Sequence, residues 1–72
     1  MEYIATYSHG ENGQGGRLSL NARTDDEACA EVREFVAQGY RDETAASVEL
    51  ADGNLYQAWN AHGTVKARHL RV

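Results

Sequence analysis

The sequence predicts an α+β fold: a single small domain of order ββαβββ, with one amphipathic helix packed on one face of a mainly antiparallel sheet. Three observations predict it: alternating apolar and polar residues near both ends of the chain, a complete helix-start signal at Thr24–Glu27, and the turn dipeptide Asp52-Gly53 between two further alternating runs. A chain of 72 residues, read as one domain over 1–72, has little apolar surface to bury, and its expected stability is about 3–5 kcal/mol.

The first segment, EYIATYS, alternates and is rich in aromatic and β-branched residues, as a half-buried strand requires. RLSLNA then sets Leu18, Leu20 and Ala22 on one face at period two. Between them HGENGQGG, residues 9–16, reads as a mobile loop of a hairpin, its glycines permitting positive φ. Thr24 followed three residues later by Glu27 forms a capping box: the threonine hydroxyl accepts from the Glu27 amide, and the Glu27 carboxylate is expected to accept from the amide of Thr24. Asp25 and Asp26 occupy the first turn, where the helix dipole favours anions. Ala28, Val32, Phe35 and Val36 recur at helical spacing as an apolar stripe, with Glu31 and Glu34 off it, so the helix is expected over about 25–38. Gly39 suits a left-handed helix cap, and Tyr40 is expected to pack back on the last turn.

After the polar loop RDET, the run AASVEL alternates again, and Asp52-Gly53 favours a two-residue hairpin turn. That turn pairs Leu50 with Leu55, Val48 with Gln57 and Ala46 with Trp59 on the core face. Glu49 with Tyr56 and Ser47 with Ala58 then occupy the other face. Gln57 fits a core poorly, because a buried amide needs partners, and a place at the sheet edge is expected for it. A second turn at Asn60–Gly63 leads into TVKARHL, where Val65 and Ala67 point one way and Lys66 and Arg68 the other.

One helix covers one sheet face and leaves the other open, and the expected open face carries Tyr56, Lys66 and Arg68, with Tyr3 and Tyr7 from the first strand. Aromatics beside bases stack on nucleobases; tyrosine and arginine are also enriched at protein-binding hot spots. The net charge of −4 conceals an asymmetry: residues 1–50 carry ten acids and four bases, whereas residues 51–72 carry one acid and three bases. The acidic balance disfavours unspecific nucleic-acid binding, and the basic tail leaves room for nucleic acid only locally or within a complex.

Other chemistries find little support. No apolar run approaches the length of about 20 residues that a membrane span needs, and MEYIATYS lacks the basic and apolar regions of a secretory signal, so a cytoplasmic location is expected. One cysteine and three scattered histidines complete no familiar zinc spacing, and neither metal nor cofactor is expected. GENGQGG lacks the lysine and hydroxyl residue of a phosphate-binding loop. Cys29 near a helix start has acids around it that oppose a thiolate. No nucleophile, base and acid set is apparent, and catalysis is not expected.

Ala22, Thr24 and Ala28 in the pattern A-x-T-x-x-x-A, Ser47-Val48, and GNLYQAWNAHG at 53–63 together resemble the small phage-encoded anti-CRISPR proteins that act on type I CRISPR complexes. That group shares the order ββαβββ and a closing hairpin of form N-G-L-aromatic-x-A-aromatic, of which Gly53 and Asn54 are a transposed version. The resemblance implies a protein without catalytic activity that binds Cas subunits of a type I surveillance complex, in the cytoplasm of a bacterial host, and interferes with recognition of target DNA. On that reading the partner-binding candidates are Tyr56, Lys66, Arg68 and Arg71, joined by Arg17 and Arg23. The helix acids Asp26, Glu31 and Glu34 are the alternative contact, imitating phosphates in a positively charged Cas channel. A second pattern, M-x-Y-x-A followed by T-x-x-E-A before the helix, is similar to antitoxins of the HicB kind. It implies a small binding module with a different partner. Unpaired strand edges leave a homodimer open.

Overall fold

The computed structural model describes residues 2–9, 14–39, 43–61 and 63–71. The expected loop positions 10–13 and the expected packing of Tyr40 lie outside the described residues. Strands β1 (Ile4–His9) and β2 (Gln14–Ser19) are followed by helix α1 (Asp25–Ala37) and strands β3 (Ala45–Glu49), β4 (Leu55–Ala61) and β5 (Thr64–Leu70). The strands form one antiparallel sheet of order β2-β1-β3-β4-β5. This is the α+β order ββαβββ. Among the described residues, no helix is long and apolar enough to cross a membrane.

Helix α1 begins as its sequence dictates. Thr24 is extended, with φ −132° and ψ 163°, and its hydroxyl accepts from the Glu27 amide at 3.2 Å. The reciprocal half of the box differs from expectation: the Glu27 carboxylate accepts from the amide of Arg23, at 3.0 Å, one residue earlier than Thr24. Ala28, Val32 and Val36 are fully buried, and Phe35 packs at the margin of the core. Gly39 does not take the left-handed conformation expected of it, since among the described residues the positive-φ glycines are Gly53 and Gly63. Its requirement is space: a Cβ there would stand 2.6 Å from Thr44 Oγ1.

The hairpin β1/β2 reaches further into the glycine-rich stretch than expected, with His9 opposite Gln14 and Ser8 opposite Gly15. Leu18, Leu20 and Ala22 do share the core side.

The larger correction concerns β3/β4. Gly53 N–H donates to the Leu50 carbonyl at 3.0 Å, Leu50 N–H donates to the Asn54 carbonyl at 2.8 Å, and Gly53 has φ +85°. This is a three-residue connection, a tight turn followed by a left-handed glycine, rather than the two-residue turn expected from Asp-Gly. Asp52 strengthens it by accepting from the Asn54 amide at 2.9 Å. One extra loop residue slips the register by one, so Val48 faces Tyr56, Ala46 faces Ala58, Ser47 faces Gln57 and Ala45 faces Trp59. Because side chains alternate, that slip exchanges the two faces of β4.

Tyr56 and Ala58 therefore lie in the core, with Tyr3, Ala5, Ala46, Val48 and Leu50. Two polar residues are buried with them. Asn60 Nδ2 donates to the Val36 carbonyl at 2.6 Å, and the Thr44 hydroxyl bonds to His9 Nδ1 at 3.0 Å. Both are satisfied, as buried polar groups must be.

Candidate binding surface

The sheet face opposite the helix is organised in rungs. Across all five strands the middle rung reads Arg17, Thr6, Ser47, Gln57, Arg68, each paired with the next. Four inter-strand steps of about 4.8 Å put the two terminal arginines about 19 Å apart at Cα. The neighbouring rung reads Gly15, Ser8, Ala45, Trp59, Lys66. Small side chains on β1, β2 and β3 thus stand beside large ones on β4 and β5. A shallow groove of about 360 Å³ follows from that contrast, lined by Thr6, Ser8, Ala45, Ser47, Trp59 and Arg68 among others.

Trp59 and Arg68 form the built part of this surface. The Arg68 guanidinium carbon lies 5.3 Å from the Trp59 ring centroid, within cation–π range. The contact places a planar five-donor group over the ring on the strand face. Lys66, Arg68 and Arg17 are exposed there. The far rung, on the other side of the middle one, carries Glu49 opposite Leu55, and Glu2 joins Glu49 in lining the hollow there beside Arg17.

The expected site residues divide between the two sides of the sheet. Lys66 and Arg68 are where the sequence places them, and Arg71 follows β5 in an exposed position. Tyr56 is buried instead, only 5% exposed, with its ring edge-on to His69 at 5.1 Å. Tyr3 is also buried and Tyr7 packs on Phe35, at 5.0 Å between centroids, so both face the helix and not the open side. Burial holds the Tyr56 hydroxyl above the usual phenol range.

Of the helix acids, Glu31 does not face outward unengaged. Its carboxylate accepts from the backbone amides of Asn21, at 3.1 Å, and Ala22, at 2.8 Å, bracing the entry to the helix. Asp25 accepts from the Tyr3 hydroxyl and from the Ala51 amide, tying the helix start to β1 and to the β3/β4 connection. The hydrogen bond from Tyr3 holds the Asp25 carboxyl below its ordinary range, and the same bond pushes Tyr3 up to about 12. Asp26 and Glu34 remain exposed.

Trp59 and Gln57 are the surface residues that the expected register hid. The signal for them was present, since Gln57 in a core position was already at odds with its polarity. Cys29 is half-buried, and burial together with Asp26 and Asp25 pushes its thiol up, away from reactive thiolate. Among the described residues, no group of three histidine, cysteine or acidic side chains is placed to hold a metal ion. No known protein family, curated protein or solved structure matches this chain.

Proposed function

We propose that this chain is a non-enzymatic binding protein that acts by occlusion, docking the open face of its sheet on a protein partner. The observation that carries this reading is Trp59 held beneath Arg68 on a face with no helix over it. Tryptophan and arginine are the residue types that dominate protein-binding hot spots, and small neighbours let a partner approach the sheet closely. The resemblance to type I anti-CRISPR proteins supplies the partner class: Cas subunits of a surveillance complex, whose recognition of target DNA the bound protein would obstruct.

A protein partner is favoured over nucleic acid by the composition of the same face. Sheets that bind single strands present several exposed aromatics as stacking platforms. Here the central strands carry Thr6, Ser8, Ala45 and Ser47, Tyr3, Tyr7 and Tyr56 face the helix, and the Trp59 ring already carries Arg68. The shifted titrations at Tyr3, Asp25, Cys29 and Tyr56 all arise on the helix side from burial or hydrogen bonding, not from convergence in a cleft, which favours binding over catalysis.

The test is affinity capture from cells expressing type I CRISPR complexes, beside gel shifts of the protein alone on DNA and RNA at two salt concentrations. Retention of Cas subunits by the wild type, and its loss in Lys66→Glu/Arg68→Glu, is expected. A salt-sensitive gel shift without retention of any Cas subunit overturns the proposal.

A further inference from the structure

Beside the open face lies a sheet edge whose hydrogen-bonding groups are directed outward. In β4, Asn60 N–H donates to the Thr44 carbonyl, on the β3 side. Backbone groups alternate in direction along a strand, so those of Leu55, Gln57, Trp59 and Ala61 point to β5. Their partners are Leu70, Arg68, Lys66 and Thr64. The amides and carbonyls of Val65, Ala67 and His69 are consequently directed away from β4, toward the free edge of the sheet.

That edge is long and regular. All seven residues of β5 keep register with β4, and no proline or bulge interrupts them. Such an edge is a template for an added strand. Its charge is one-sided: Lys66, Arg68 and then Arg71 are basic, and no acid lies between Thr64 and Arg71. A second copy of this chain is a poor occupant. Pairing β5 with β5 sets Lys66 and Arg68 against the same bases, and pairing β5 with β2 offers Arg17 and no acid. The occupant that complements this edge is an acidic extended segment of another protein.

We propose that β5 captures such a segment as a sixth strand, with acidic side chains at alternate positions opposite Lys66 and Arg68 on the open face. The intervening residue of the segment lies over Ala67, which is exposed on the helix side, and is therefore small or apolar. Arg68 is preorganised for a carboxylate by its stacking on Trp59. This inference rests on the proposed protein-binding function and specifies the chemistry of the partner.

The experiment uses the full chain with two ten-residue peptides of identical composition, one with glutamates alternating with valine and threonine and one with the glutamates in a block. Amide hydrogen exchange is read residue by residue. Saturation with the alternating peptide is expected to slow exchange at Val65, Ala67 and His69 by about tenfold or more, leaving the β2 edge unchanged, because only backbone pairing buries those amides. The block peptide, and the alternating peptide at high salt, are expected to do less. Ala67→Pro deletes one outward N–H without touching the β4 ladder and is expected to abolish protection at Val65 and His69 while thermal unfolding remains cooperative. If Ala67→Pro does not fold, Lys66→Glu/Arg68→Glu serves, with protection moving to a lysine-alternating peptide. Equal protection by both peptides, or binding seen at Trp59 without protection at β5, overturns strand addition. Capture of Cas subunits with β5 amides unprotected refutes this inference and leaves the proposed function standing; protection by the peptide without Cas capture does the reverse.

Discussion

Exchange of the two faces of β4 makes Tyr56 and Trp59 opposite tests of one register. Tyr56 is 5% exposed. A buried aromatic removes about 150–250 Å² from water, worth about 4–6 kcal/mol at about 25 cal/mol per Å², and aromatic-to-alanine changes in cores cost about 3–5 kcal/mol. A chain of 72 residues holds only about 3–5 kcal/mol in total. Tyr56→Ala is therefore expected to abolish cooperative unfolding at 25 °C. Trp59 is half-buried on a face that no described helix covers, and its loss removes partial burial plus the Arg68 contact, together about 1–2 kcal/mol. For a domain of this size that lowers the melting temperature by about 4–16 °C and preserves a two-state transition. Urea and thermal unfolding followed by far-ultraviolet circular dichroism measure both variants. A folded Tyr56→Ala beside an unfolded Trp59→Ala would refute the three-residue connection and restore the pairing of Leu50 with Leu55.

Acid and alkali should each release the helix start. Asp25 has a lowered folded value, so its stabilisation is present above its unfolded value of 3.8 and lost as pH falls through the folded value; Tyr3 has a raised one, so its stabilisation is present below 10.0 and lost as pH rises toward about 12. Melting temperatures of Tyr3→Phe and Asp25→Asn should show flatter profiles in both windows than the wild type. Gly39→Ala is expected to cost about 1–3 kcal/mol through collision with the fully buried Thr44. Gly53→Ala, where φ is +85° but nothing lies within 4 Å, is expected to cost about 1–2 kcal/mol from the backbone alone. Removing the exposed helix charges with Asp26→Asn/Glu34→Gln should change partner capture far less than Lys66→Glu/Arg68→Glu, and neither double variant should shift melting by more than a few degrees, since all four side chains are exposed.

What the sequence disclosed is what local chemistry decides. The Thr24 hydroxyl cap, the stripe through Ala28, Val32 and Val36, and the alternation of β3 and β5 depend on neighbours within a turn or a strand, and these appear as expected, whereas the segment of β1 alternates but turns Tyr3 and Tyr7 toward the helix instead of the open side. The β3/β4 register was hidden because Asp-Gly serves both a two-residue turn and a longer turn ending in a left-handed glycine. The difference of one residue is settled by burial: it sinks Tyr56 and Ala58 and lifts Gln57 and Trp59 out. Helix periodicity correctly set Glu31 off the apolar stripe, but its bonds to the Asn21 and Ala22 amides depend on the path of the chain before the helix. The middle rung, from Arg17 to Arg68, joins five strands and has no local signature at all.

The same placement decides which charged surface has the better claim to a partner. Helix α1 carries five acids, yet Asp25, Glu27 and Glu31 are spent on backbone amides and Tyr3, leaving only Asp26 and Glu34, the latter accepting from the Gln38 side chain at 3.3 Å. An anionic mimic built from two separated carboxylates offers little to a phosphate-binding channel. The opposite side sets Arg17, Lys66 and Arg68 on one open face with Glu49 at its far rung. A helix diameter of about 10 Å separates the two sides, comparable to the Debye length of about 8 Å at physiological salt. A partner approaching the sheet therefore meets the local bases before the net charge of −4. Association of an acidic partner should accelerate as salt is lowered to moderate levels, even though the protein is itself an anion.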